Sequence, residues 1–123
     1  MQIIHTEKAP EAIGLHSQAM LAGGLLFTSG QIAINPESGT VEAETIEGQA
    51  EQVMKNLGAL LEAAGSGFDR VVKTTCFLAD MGDFAAFNAV YERYFTGRPA
   101  RSCVAVRQLP KNVLVEVELI AET

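Results

Sequence analysis

Between Thr45 and Ala64 the apolar residues Ile46, Ala50, Val53, Leu57, Leu60, Leu61 and Ala64 recur at steps of three and four. That spacing lays one apolar stripe along a helix of about 20 residues, which must bury against another element. Gly65 follows as a C′ residue able to take the left-handed conformation without a Cβ clash. What flanks the helix is β-like. Ile3-Ile4 reads as a short first strand, and the apolar runs of Gln18 to Thr28 are split by Gly23-Gly24, a dipeptide suited to a tight hairpin. Asn35-Pro36-Glu37-Ser38-Gly39 is a turn by composition. Val71 to Leu78 is rich in β-branched and aromatic residues.

Phe84, Phe87, Tyr91 and Tyr94 fall on one face of a second helix, with Asp80 or Asp83 as N-cap. Two further strands, Arg101 to Val106 and Val113 to Ala121, are joined around Leu109-Pro110-Lys111-Asn112. The order ββ(β)αβαββ predicts an α+β fold, one domain over residues 1–123, with a mixed sheet of about six strands and two helices on one face.

Two helices cover only one face of such a sheet. The last strand puts Val113, Val115, Val117 and Leu119 on one side and Leu114, Glu116, Glu118 and Ile120 on the other. The strand beginning at Val71 also has apolar residues on both sides. An apolar second face calls for either a partner or longer loops, and the partner reading predicts an oligomer whose sheets meet.

Composition narrows the function. The formal net charge of the 123 residues is −6, and the nearest basic grouping, Arg93, Arg98, Arg101 and Arg107, is too sparse to track phosphates, so nucleic acid and anionic membrane are disfavoured. No apolar run approaches the ~20 residues of a membrane span. Cys76 and Cys103 lie far apart without a CxxC, which fits a reducing compartment. The first residues, Met1 to His5, have neither basic flank nor apolar core of a signal peptide, so a cytoplasmic location is expected. His5 and His16 are the only histidines, and no Cys/His cluster supplies a metal ligand set. GxSxG, GxGxxG and GxxxxGK[ST] are absent.

Pro99-Ala100-Arg101-Ser102-Cys103-Val104 is followed about twelve residues later by Val115-Glu116-Val117. Here the sequence resembles the reactive intermediate deaminase family (RidA/YjgF, also called L-PSP endoribonucleases). The resemblance runs along essentially the whole chain. It includes Ala12-Ile13-Gly14, Ser29-Gly30-Gln31-Ile32, Asn35-Pro36, Ala63-Ala64-Gly65, Val71 to Thr75, Asp83-Phe84, Asn88, Tyr91, Tyr94-Phe95 and Leu109-Pro110-Lys111. It implies a chorismate-mutase-like fold that forms homotrimers, with a cleft for a small 2-imino or 2-oxo acid at each subunit interface. It also implies hydrolysis of 2-iminobutanoate and 2-iminopropanoate to 2-oxo acids and ammonia, with no metal or organic cofactor. Such imines leak from pyridoxal-phosphate-dependent dehydratases and damage other enzymes, so the role implied is metabolite damage control.

Residue by residue, the resemblance makes Arg101 the carboxylate clamp, a role its planar guanidinium fork suits through two parallel hydrogen bonds. Glu116 is the acidic residue that would activate water and return a proton to the leaving nitrogen. Proximity to Arg101 would lower its pKa and burial would raise it. Cys103, two residues after Arg101, shares its strand face and is either a cleft thiol or a small buried apolar residue. Ser29 and Gly30 line the cleft, with glycine allowing close main-chain approach. Asn88 stands either near the site or on the helix surface.

The main departure is at Ile13-Gly14-Leu15-His16-Ser17-Gln18, where the family typically reads I-G-P-Y-S-Q. His16 in the tyrosine's place either takes over its hydrogen bond or turns outward as a polar loop residue. The loop Phe95-Thr96-Gly97-Arg98-Pro99 is short for the family, and Val106-Arg107-Gln108 replaces the commoner V-A-R. The competing functions are a non-catalytic carboxylate-binding regulator or chaperone-like protein, and an endoribonuclease.

Overall fold

Gly23 and Gly24 take φ of 60° and 77°. Two successive left-handed residues are what a type I′ turn requires, and they fold β2 (Ala19–Ala22) back on β3 (Leu25–Thr28). In this computed structural model of residues 1–123, β1 (Gln2–Ile4) pairs with the outer edge of β2. The turn after Asn35 joins β4 (Ile34–Asn35) to β5 (Thr40–Val41), a two-stranded ribbon apart from the main sheet that composition showed only as a turn.

The stripe at 45–64 becomes α1 (Ile46–Ala63), with the Thr45 hydroxyl accepting from the Gly48 amide at 3.1 Å. Gly65 takes φ 73°, and the Ser66 amide donates back to the Leu61 carbonyl at 2.8 Å, closing the helix. β6 (Val71–Leu78) runs parallel to β7 (Ala100–Ala105), a pairing that needs a long crossover, supplied by α2 (Phe84–Tyr94). Of the two aspartates, Asp80 accepts from the Gly82 amide at 2.7 Å and caps the 3-10 turn Met81–Asp83; Asp83 makes no side-chain cap. β8 (Val115–Glu122) inserts between β3 and β6, giving a six-stranded mixed sheet ordered β1-β2-β3-β8-β6-β7.

Both helices pack on one face. Val53, Leu57, Leu60 and Leu61 of α1 and Phe87 of α2 meet Cys76, Val115, Val117 and Leu119 of the sheet, all in one fully buried cluster. Three buried polar residues (Gln49, Asn56 and Thr74) join this core with their hydrogen bonds made. No helix is long and apolar enough to cross a membrane.

The opposite face carries a cross-strand row of Ile3, Met20, Phe27 and Ile120, then Glu118, Thr75 and Ser102, then Glu116, Phe77 and Val104. Ile3, Phe27 and Val104 are 64%, 40% and 46% exposed, so neither helices nor loops cover this face. The reading in which longer loops cover it is thereby excluded.

Candidate functional site

Two clefts receive the candidate residues. The first is built by a segment laid across β8. The Gln31 amide donates to the Val117 carbonyl at 2.9 Å and the Val117 amide to the Gln31 carbonyl at 3.1 Å, an isolated bridge that seats residues 29–31 on the strand. Asn56 of α1, fully buried, donates to the Ile32 and Ile34 carbonyls at 3.1 and 2.9 Å and holds the segment from below. The Ser29 amide reaches the Gln18 carbonyl at 2.9 Å and its hydroxyl donates to the Ser17 carbonyl at 2.6 Å, tying in the loop that carries His16.

The result places Gly30 against Glu116. A Cβ on Gly30 would stand 2.8 Å from the Glu116 carboxyl carbon, closer than real Cβ contacts come, so the carboxyl occupies the space any side chain would need. The cleft, about 270 Å3, is lined by His16, Ser29, Gly30, Gln31, Lys111 and Glu116 among others. Burial, and secondarily Glu118, push the Glu116 carboxyl above the ordinary glutamate value. In one chain Arg101 exerts no opposing pull on it. His16 therefore lines the cleft with Glu116, although its ring is exposed.

The second cleft is built on α2 and β7. Arg101 is half-buried, and its Nη1 donates to Asn88 Oδ1 at 2.7 Å. The guanidinium carbon lies 4.6 Å from the Tyr91 ring centre and 5.4 Å from that of Phe84. Tyr91 is itself fixed by a 2.8 Å hydrogen bond between its hydroxyl and that of Thr74. The chain's ion pairs are His5–Glu11 and Arg93–Glu51, so Arg101 has no carboxylate partner. A half-buried cation held only by an amide and aromatic faces is an open anion site.

Cys103 is half-buried two residues along and pairs in register with Cys76. Burial pushes Cys76 to about 12 and raises Cys103 as well, with Arg101 opposing the shift at Cys103. Both stay thiols at neutral pH, which is inconsistent with a nucleophile. No three histidine, cysteine, aspartate or glutamate side chains converge as a metal-ligand set.

The sequence-derived residues thus form two groups: His16, Ser29, Gly30 and Glu116 in one cleft, Asn88, Arg101 and Cys103 at the other. Strand register separates them. Arg101 is level with Thr74, on the helix-covered face, whereas Glu116 is level with Phe77, on the open face. Three residues along β6 is roughly 10 Å, and the sheet itself lies between. Lys111, at φ 55° in the turn before β8, and Gln31 line the Glu116 cleft without having been singled out as site residues. Both lie in stretches that carry the family resemblance.

Comparison with known proteins places this arrangement. The family model "Endoribonuclease L-PSP" matches residues 6–123. A RutC family protein from Synechocystis is 54% identical over 98% of this chain and 95% of its own length. A 2-iminobutanoate/2-iminopropanoate deaminase from Salmonella typhimurium is 48% identical over 96% of this chain and 94% of its own. The crystal structure of Escherichia coli TdcF with bound serine superposes with a TM-score of 0.94 at 40% identity, covering 100% of this chain and 99% of that one. The chain belongs to the Endoribonuclease L-PSP family, the RidA/YjgF family that its Pro99–Val104 and Val115–Val117 segments resemble.

Proposed function

We propose that the protein hydrolyses small 2-imino acids, 2-iminobutanoate and 2-iminopropanoate, to 2-oxo acids and ammonia. The observation that carries this reading is Arg101, a half-buried guanidinium with no carboxylate partner, shelved on Tyr91 and oriented by Asn88. A small 2-imino acid supplies the missing carboxylate next to its reacting carbon. The deaminase name of the Salmonella relative and the serine held by TdcF are consistent with a small amino-acid-like ligand.

The reaction adds water across C=N and expels ammonia. Glu116 takes a proton from the attacking water as the C–O bond forms and passes it to the imine nitrogen, giving a carbinolamine. It then takes the hydroxyl proton as C=O forms and delivers it to the nitrogen that leaves as ammonia. A carboxyl raised above its ordinary pKa by burial suits both halves of that exchange. The Gly30 main chain, which permits close approach, and Ser29 border the reacting centre, with His16 at its edge. Cys103 lines the clamp side as a neutral thiol.

Because Arg101 and Glu116 lie on opposite faces of one sheet, a site that uses both needs two chains. The reading therefore includes a homo-oligomer in which the β7 edge of one protomer meets the open face of the next. Such an interface is heterologous and closes as a ring, a trimer by family resemblance. The exposed row of Ile3 and Phe27 is the apolar surface available for that contact.

The test is the decay of 2-iminobutanoate generated in situ and trapped with semicarbazide. Wild type should accelerate it and Arg101→Ala should not. Full activity in Arg101→Ala would remove the clamp from the mechanism, and an inert wild type would leave carboxylate binding without turnover.

A further inference from the structure

The groove beside Arg101 holds a second arginine for which the hydrolysis of 2-iminobutanoate has no use. Arg98 lines it together with Asn88, Tyr91, Glu92, Phe95 and Arg101. Its backbone has φ 53°, in the left-handed region where a Cβ meets the following carbonyl. Gly97, the neighbour that could adopt this conformation freely, stands outside the left-handed region. The short loop thus keeps an arginine where glycine or asparagine would be the relaxed choice.

Arg98, like Arg101, is in neither of the chain's ion pairs. Glu92 lines the same groove, four residues after Asn88 on α2, yet pairs with neither arginine. Once a substrate's carboxylate occupies Arg101, Arg98 remains as a free guanidinium at the groove wall. The two Cα atoms are three residues apart, at most about 11 Å, and a flexible arginine arm can close most of that span.

We propose that the cleft accepts 2-imino dicarboxylates, the imines of aspartate and glutamate, with the carboxylate next to the imine on Arg101 and the distal one on Arg98. This rests on the deaminase reading and specifies the substrate class of the same site. Glu92 tunes it: as the one anion in the groove, it opposes the second carboxylate. The chemistry at C=N is unchanged, water entering and ammonia leaving, so no further reactant is needed.

The experiment compares kcat/KM for the imine of aspartate and for 2-iminobutanoate, each generated in situ by an amino acid oxidase. The proteins are wild type, Arg98→Ala, Arg98→Lys and Glu92→Gln. A charge-assisted contact to the distal carboxylate predicts that the diacid-to-monoacid ratio falls at least ~10-fold in Arg98→Ala and recovers partly in Arg98→Lys. The ratio should rise in Glu92→Gln. An unchanged ratio in Arg98→Ala overturns the proposal, as does a wild type that hydrolyses 2-iminobutanoate but not the diacid; in both cases the deaminase reading stands. A wild type inert to both imines overturns the deaminase reading and this proposal with it.

Discussion

Gly30 and Glu116 share one space: the carboxyl carbon of Glu116 sits 2.8 Å from where a Cβ on Gly30 would project. The glycine is required by this close approach and not by a left-handed turn. Gly30→Ala should push the carboxyl aside while leaving the Gln31–Val117 bridge intact. Misplacing a reacting group by about 1 Å costs up to ~100-fold, so kcat for imine hydrolysis should fall roughly 10- to 100-fold with KM nearly constant. Steady-state kinetics beside a thermal melt checks it; an unchanged kcat would place the water-activating group elsewhere.

The raised pKa of Glu116 has two readouts. As a base it must be ionised, so the acid limb of the kcat profile reports its pKa: a limb above the ordinary glutamate value of 4.5 means that burial outweighs the Arg101 brought by the next protomer. Glu118 is the secondary cause of the shift, so Glu118→Gln should move the limb toward lower pH. For stability, a raised folded pKa means the native state keeps a proton that the unfolded chain has lost. Its stabilising contribution is full below 4.5 and disappears as pH rises through the folded value. Chemical denaturation from pH 4 upward should show that decline, and Glu116→Gln should flatten it.

Arg101→Lys keeps the charge but gives up the planar fork and the stacking on Tyr91. With charge-assisted hydrogen bonds at about 1.5–3 kcal/mol, losing one of two should raise KM by roughly 10- to 150-fold. Kinetics on 2-iminobutanoate decides this. A KM within twofold of wild type would mean that the carboxylate is held by something else.

Asn56 links the core to the site. It is fully buried and its amide donates to the Ile32 and Ile34 carbonyls. Asn56→Ala removes that donor from both; the Ile32 carbonyl keeps the Ile34 amide at 2.8 Å, so the cost is about 1–3 kcal/mol for the Ile34 contact. Chemical denaturation should show a loss of that size, and kcat should fall because the segment carrying Ser29 and Gly30 is loosened. Asn56→Asp, similar in size but lacking the donor, should behave no better.

The elements that were legible are those with a local signature. The three- and four-residue steps from Ile46 to Leu61 and the pairing of Gly23 with Gly24 are set by neighbours in sequence, and the structure has them as expected. Asn56 and Gln49 escaped because apolar periodicity cannot mark a polar residue that is buried to satisfy a carbonyl or amide elsewhere in the chain. Asp83 has the residue type of a cap but makes no cap hydrogen bond, whereas the Asp80 side chain accepts from the Gly82 amide. The candidate site residues rest on the resemblance to a family. Their division between two faces was not readable, because it depends on β6 pairing with β7 and β8 at once, a register set by contacts distant in sequence.

In the proposed site Arg101 of one protomer works with Glu116 of another. Arg101→Ala and Glu116→Ala, each inactive alone, should be unfolded together at equal concentrations, refolded and assayed for imine hydrolysis. In a ring of randomly mixed chains, about a quarter of the interfaces bring an intact Arg101 to an intact Glu116, so about a quarter of wild-type activity should return. No recovery, in mixed assemblies verified by mass, would overturn a site shared between protomers and put both residues to use within one chain or not at all.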